Sequence, residues 1–412
     1  MQRAAGIRIF LVFAAGYFLS YTFRSIGSLI GPDLARDLAL NPRDLGLLAS
    51  VFFLTFFLAQ PALGIAMDRF GPTRVNALLI AIAAAGAALF AIGADVYTLA
   101  AGRALIGLGV AGALMTSLKA FVIWYDPRHR EVLSAGIMAI GGMAAMLAAS
   151  PAEYLMRYVG WRGLFWILCG LACLVALTLM LALPAVREEE DATGAAPAVG
   201  GFGTILRARI FWSYAPLAFF GSGGFSAIQS LWAGPWLVEV AGLSRAATAG
   251  VLTKYGFALL MGYLVIAAVG ARVQATPGAS RRLYIGSLAL AFAALAAIIS
   301  NAWPDSGLPW LAYGVTLGAS VLAYPALTRA FPVSISGRVL TAYNATMFLG
   351  AFIIQSALGI LIQAFIDGGW SREHAYQGAF GVLLATQVVA LLWFAALSRT
   401  DAASHNNGVI LP

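Results

Sequence analysis

Charge is what this sequence has least of. Only 10% of its 412 residues are Asp, Glu, Lys or Arg, while 61% are hydrophobic and the mean hydropathy is +0.87. Too few charges exist to cover a water-soluble particle of this size, so the composition indicates an all-α membrane protein of several spanning helices. Histidine is nearly absent, with three copies, and cysteine has two. Cys169 and Cys173 stand four apart in one apolar stretch with no His beside them, which reads as small buried apolar residues rather than a metal pair or a disulfide. The chain also lacks a hydrophilic segment long enough for a soluble catalytic domain, a nucleophile with a base, and any G-x-x-x-x-G-K-[ST] motif. An enzyme is therefore not expected, no cofactor is expected, and direct ATP drive by this chain is excluded.

What is present is a series of apolar stretches. A hydrocarbon core of roughly 30 Å needs about 20 apolar residues per helix. Twelve such spans are expected, at 8–30, 45–67, 75–93, 98–121, 132–153, 162–183, 211–237, 247–269, 283–302, 308–330, 339–365 and 374–397. The first follows a short "MQRAAGIR" with no small-residue cleavage site and reads as a retained helix. The segment "REEEDATGAAPAVGGFGTILRAR" has linker composition and separates six helices from six. The expected organisation is a bundle over 1–184, a cytoplasmic linker over 185–209, a second bundle over 210–398 and a cytoplasmic tail over 399–412.

Arginine sets the orientation. With both termini in the cytoplasm, Arg8, Arg69, Arg74, Arg130, Arg207, Arg281, Arg282 and Arg338 are among those inside, and only Arg36, Arg43, Arg157, Arg162, Arg245 and Arg372 lie outside. The net charge of +8 is thereby explained as topogenic, with no nucleic-acid partner. The expected location is the cell (inner or plasma) membrane, the expected partner the lipid bilayer, and the expected state a monomer.

The halves repeat each other. "SLIGPDL" (28–34) recurs as "SLWAGPWL" (230–237), "KAF" (119–121) as "RAF" (329–331), "EVLSA" (131–135) as "RVLTA" (338–342), and "GW" at 160 and 161 returns at 369 and 370. Four matches in one order indicate duplication. Two six-helix units related in this way can rock about a site between them, the geometry of alternating access.

The loop "GIAMDRFGPTR" (64–74) resembles the signature Gly-x-x-x-Asp-Arg-x-Gly-(Arg/Lys) loop of the major facilitator superfamily, with Gly64, Asp68, Arg69, Gly71 and Arg74 on the pattern and Pro72 off it. "RALIGLG" (103–109) is similar to the Arg-x-x-x-Gly-x-Gly motif of that superfamily's fourth helix. The resemblance implies two pseudo-symmetric six-helix bundles and secondary transport. It also implies a gating role for the loop, with Asp68 taking charge-assisted hydrogen bonds from Arg69, another basic residue or a helix N-terminus across the bundle interface. For Arg103 two readings stand side by side: coupling or proton relay, as the resemblance implies, and a packing hydrogen bond to neighbouring carbonyls.

The intramembrane cations carry the functional argument. Lys119 and Arg329 lie at inner helix ends, where long stems snorkel to headgroups, and are read as anchors. Arg24 stands seven residues before "GP" (31–32), roughly 10 Å below the outer edge and too deep for that. Lys254 aligns by the repeat with Ser50 and is read as a second cavity cation. Exposing such a group to hydrocarbon costs at least about 2.5 kcal/mol, so each marks a functional site. Yet of seventeen acidic residues, Glu153 alone comes close to a helix interior. Cations without anions indicate an anionic small-molecule substrate. Tyr17, Tyr21, Arg24 and Ser28 share one stripe of the first helix; Ser222, Ser226, Gln229, Trp232 and Trp236 form one on the seventh; Tyr343, Asn344, Met347 and Gln355 lie on the eleventh. Trp236 by itself is read as an interfacial-belt or helix-packing residue.

The first helix also resembles that of organophosphate and organic-anion exchangers, whose helix-one Arg binds the substrate anion. Helix seven carries no matching Arg here, and Lys254 is the candidate substitute. The expected function is transport of a small organic anion, a carboxylate above all, with a multidrug or siderophore transporter as the alternative. A coupling proton would use Glu153, Lys254 or the substrate itself, and exchange against a counter-substrate stays open.

Overall fold

The computed structural model describes residues 3–182, 202–275, 278–304, 306–332 and 335–406. Most of the 185–209 linker and the end of the 399–412 tail lie outside those residues. Among the described residues there is no strand, and helices account for nearly the whole chain.

Helix α1 spans Arg3–Asp37, α2 Pro42–Phe70, α3 Pro72–Ile92 and α4 Val96–Trp124. Helix α5 begins at Pro127–Leu147 and continues from Ser150 to residue 159; α6 follows to Ala182. The corner between them is Gly160, at φ 66°, a left-handed conformation that suits glycine. Helix α7 runs from Arg209 to Glu239. Then come α8 Arg245–Ala275, α9 Ala279–Ile299, α10 Leu308–Thr328, α11 Ser336–Asp367 and α12 Arg372–Asn406. Among the described residues, ten helices are long and apolar enough to cross a membrane, and Val132–Leu147 is a shorter apolar one.

Helix α7 is the irregular crossing. It widens into π-turns at Leu217–Ser222 and again at Ile228–Trp232. Each π-turn rotates the helix face that follows it, so a regular 3.6-residue stripe does not describe this helix. Most helices also overrun their expected spans: α1 reaches Asp37 rather than residue 30, and α11 extends to Asp367. Proline does not stop the overrun, because Pro32 and Pro61 sit inside α1 and α2.

An even number of crossings puts the two ends of the helical array on one face, here the termini face; the opposite one is the far face. The bundles meet along their far halves. There α1 crosses α7 so closely that a Cβ on Gly234 would lie 1.6 Å from the Ser28 carbonyl oxygen, and one on Gly27 2.3 Å from that of Ser230. Helix α2 crosses α11 at Gly46 and Gly359, and α5 crosses α8 at Gly142 and Gly256. Close backbone approach of this kind is how helices associate in lipid, where apolar side chains gain little from leaving the solvent. Toward the termini face the packing is different: Ala113–Trp124 of α4 lies on α1, α3 and α5, and Ala323–Thr328 of α10 lies on α7 and α11. Each stays with its own bundle.

Candidate substrate site

Arg24 projects from α1 just on the termini side of the far closure and is half-buried. Its Cζ lies 5.0 Å from the ring centroid of Tyr21, 5.4 Å from that of Phe56 on α2 and 5.2 Å from that of Phe348 on α11. Both bundles thus contribute to one aromatic cage around a guanidinium, an arrangement favoured by the electron-rich ring faces. Its Nε is buried without a hydrogen-bond partner, and among the described residues no carboxylate lies within ion-pair distance. Tyr17 packs edge-on against Tyr21 with centroids 6.0 Å apart. Tyr17 and Tyr324 both lie within electrostatic reach of Arg24.

The second bundle adds polar groups behind the rings. Tyr324 donates to Asn344 Oδ1 at 2.6 Å and packs against Tyr343, whose hydroxyl is buried without a partner. Tyr21 donates to Gln229 Oε1 at 3.5 Å, and Ser28 Oγ donates to the Gln229 carbonyl at 2.6 Å, both across the bundle interface. Between the closure and the cage lies a cavity of about 20 Å³ lined by Ser25, Ser28, Gln229 and Tyr255. Ser25 Oγ and Tyr255 OH have no partner there; the space suits one water.

Several expected site residues stand elsewhere. Lys254 is exposed and donates to the Ser306 carbonyl at 3.2 Å, under the loop before α10, so it is not a cavity cation. The alignment with Ser50 assigns a place along the helix, and that place does not fix the direction in which a side chain points. Trp232 is fully buried and donates to the Gln355 carbonyl at 3.1 Å, within the far closure rather than on the cage wall. Trp236 stacks on Phe380 at 4.5 Å, as packing. Arg103 is buried over Phe52 and Phe90 and donates from Nη1 to the Phe23 carbonyl at 3.1 Å, the packing bond that was one of its two readings.

The motif loop takes one of the partners expected of it, a basic residue elsewhere in the chain. Gly71 at φ 77° ends α2 and admits α3 directly, with Pro72 as its first residue, a position where proline lacks only a hydrogen-bond donor that is already spare. Asp68 pairs with Lys119 at 2.7 Å inside the first bundle, not across the interface. Lys119, which also donates to the Met67 carbonyl, is thus a helix–helix tie rather than a lipid anchor. Arg69 lies over the Phe70 ring, Arg74 is exposed, and a Cβ on Gly64 would meet only open space.

Across the far face runs a chain of charge that sequence reasoning missed. Asp33 accepts from Arg36 at 2.7 Å and from Arg245, on α8, at 2.9 Å; Arg245 also lies 3.9 Å from Glu153, which Arg157 holds at 2.9 Å. Glu153 is therefore a paired carboxylate. The cage members Phe56 and Phe348, and Tyr324 beside Asn344, were missed as well. The one signal for Asp33 was the repeat itself, since "GPDL" faces "GPWL" with an acid in place of Trp236.

A sequence profile of the Major Facilitator Superfamily matches residues 13–355. The chain belongs to that superfamily. Its fold is shared with a bacterial homologue of the human lysosomal transporter Spinster in an inward-facing, occupied conformation, at a TM-score of 0.75 over 97% of this chain and 98% of that one, with 17% identity. Among curated superfamily relatives, a probable sugar efflux transporter of Helicobacter pylori (strain G27) is 23% identical over 63% of this chain and 65% of its own length, just under two thirds of that protein. A chloramphenicol resistance protein of Streptomyces lividans is 25% identical over 90% of this chain and 92% of its own. A probable nitrate/nitrite transporter, NarK2, of Mycobacterium tuberculosis (strain H37Rv) is 26% identical over 92% and 94%.

Proposed function

We propose that this integral membrane protein is a secondary transporter that carries a small organic anion, a carboxylate, between its two bundles by alternating access. The observation that supports the reading is Arg24: a guanidinium at the bundle interface, ringed by Tyr21, Phe56 and Phe348 and without a protein carboxylate among the described residues. A cation held this way lacks a countercharge when the site is empty, and a substrate anion supplies one. Tyr17, Tyr21 and Tyr324 flank the anion, while Tyr343, Asn344 and Gln229 hold the wall behind it. Ser28, Trp232 and Lys254 act outside this first ring. Gly64, Asp68, Arg69, Gly71, Arg74 and Arg103 belong to the moving framework. The likeness to NarK2, whose name specifies nitrate and nitrite, favours an anionic cargo.

The termini face is cytoplasmic in this reading, in the inner or plasma membrane, on the bias of arginines to that side. Turnover is coupled to a proton or a counter-substrate, and the unit is a monomer. The test is uptake by proteoliposomes: Arg24→Gln abolishes transport of the anion while the protein inserts and melts normally. Undiminished anion transport by that variant rejects the reading. A multidrug role is the second reading, supported by the likeness to the chloramphenicol resistance protein and by the aromatic cage. Since chloramphenicol is uncharged, that role predicts transport that survives Arg24→Gln.

A further inference from the structure

The cage around Arg24 limits the valence and the hydration of what it binds. The guanidinium faces three rings, which replace part of its water shell with weakly polar carbon. Among the described residues, Arg103 is committed to the Phe23 carbonyl, Lys119 to Asp68, Arg245 to Asp33 and Lys254 to the Ser306 carbonyl. Within the cage the three rings face one guanidinium, that of Arg24. Each carboxylate drawn out of water carries its own desolvation penalty, so a dicarboxylate pays it about twice over, whereas one guanidinium offers a close partner to only one of the two carboxylates. The balance favours a single charge.

Geometry restricts the anion further. Nε of Arg24 is buried and unbonded, and a guanidinium offers two parallel N–H donors along one edge, the spacing of a planar carboxylate. Around the guanidinium the surroundings are ring carbon from Tyr21, Phe56 and Phe348, with Tyr17 edge-on against Tyr21, which suit an apolar, planar body. We propose that the Arg24 cage binds an aromatic monocarboxylate and discriminates against dicarboxylates and other dianions. This rests on the reading of Arg24 as the anion-binding group and adds the valence and the body of its ligand.

Equilibrium binding and thermal shift on the purified full-length protein distinguish the two levels. The probes are benzoate, 4-hydroxybenzoate and phenylacetate as monoanions, terephthalate and succinate as dianions, and benzyl alcohol and benzylammonium as the neutral and cationic controls. The expected result is saturable binding of a monoanion at least about tenfold tighter than terephthalate, about 1.4 kcal/mol of discrimination, with no response to either control. Phe348→Leu removes one ring and lets water back onto the guanidinium, so the preference for the monoanion narrows severalfold even where affinity falls; a role in packing alone would weaken both anions equally. Terephthalate or succinate binding as tightly as the monoanions overturns the valence proposal and leaves the anion reading in place. Binding of benzyl alcohol or benzylammonium with no anion bound overturns both. Failure of all three monocarboxylates to bind also overturns the proposal.

Discussion

Arg245 at the start of α8 reaches Asp33 on α1 at 2.9 Å, an ion pair between the two bundles at the far face. The Asp33 side chain is 9% exposed, so its charge is largely withdrawn from water, while Arg245 keeps 41% of its surface. Loss of Arg245 leaves this nearly buried carboxylate to Arg36 alone, and the exposure of Arg245 discounts the effect relative to a fully buried pair. Opening the far face must break this contact together with the 3.9 Å approach of Arg245 to Glu153.

Arg245→Gln is therefore expected to favour the far-open state by about 1–2 kcal/mol, a five- to thirtyfold change in population. Ser28→Cys, buried at the α1–α7 crossing, reports it in a background lacking Cys169 and Cys173. A polar thiol reagent in detergent should label this cysteine severalfold faster in the Arg245→Gln protein. Equal labelling rates would mean that the ion pair does not hold the closure.

The glycine crossing makes a sharper demand. A methyl on Gly234 would overlap the Ser28 carbonyl oxygen at 1.6 Å, and backbone cannot yield as a side-chain tip can. Gly234→Ala should lock the far face open, with transport lost and the Ser28→Cys probe labelled at its maximal rate. Gly170→Ala is the matched control, because a Cβ there meets nothing within 4 Å, and its transport should equal that of the parent. A Gly234→Ala protein that transports normally would show that α1 and α7 need not approach this closely during the cycle.

The sequence made Arg24 legible because a lone cation in an apolar helix has no ordinary explanation. Its cage was not legible. Phe56 and Phe348 belong to helices in which phenylalanine is common, and nothing in composition distinguishes a ring facing lipid from one facing a guanidinium. That distinction depends on how α2 and α11 are rotated against each other, a tertiary property. Lys254 failed for the related reason that its neighbour Tyr255 turns inward and the lysine does not. Duplication and helix number were read from local pattern, whereas the π-turns of α7 leave no local trace that a 3.6-residue stripe detects. Asp33 and Arg245 lie more than two hundred residues apart, and only packing reveals them as a pair.

Asp95 gives a prediction in pH. It caps α4 by accepting from Thr98 Oγ1 at 2.7 Å and from the backbone N–H groups of Tyr97 and Thr98 at 2.9 Å. Thr98, through its side chain first, holds the carboxyl below its ordinary value. A carboxyl depressed in the folded state contributes stability above its unfolded pKa and loses it as pH falls through the folded one. The melting temperatures of the parent and Asp95→Ala should therefore differ at neutral pH and converge below about pH 4, where free aspartate protonates. A difference that persists undiminished to pH 2 would assign the cap to something other than the ionised carboxylate.

Lys254 tests whether the substrate meets one cation or two. Its ammonium is bonded to the Ser306 carbonyl and exposed, with Gly307 beside its stem, so it closes a loop over the start of α10. Lys254→Met removes the charge and keeps most of the stem. If the anion is held by Arg24 alone, the variant transports with a KM within about twofold of the parent, since an exposed hydrogen bond contributes only about 1 kcal/mol to the fold. Its pH profile should also be unchanged, because a group outside the cage does not carry the coupling proton. A KM raised tenfold, or a displaced pH optimum, would bring Lys254 into the cavity in another state of the cycle. The anion would then be shared between the bundles by two cations, and selection for a single charge would no longer follow.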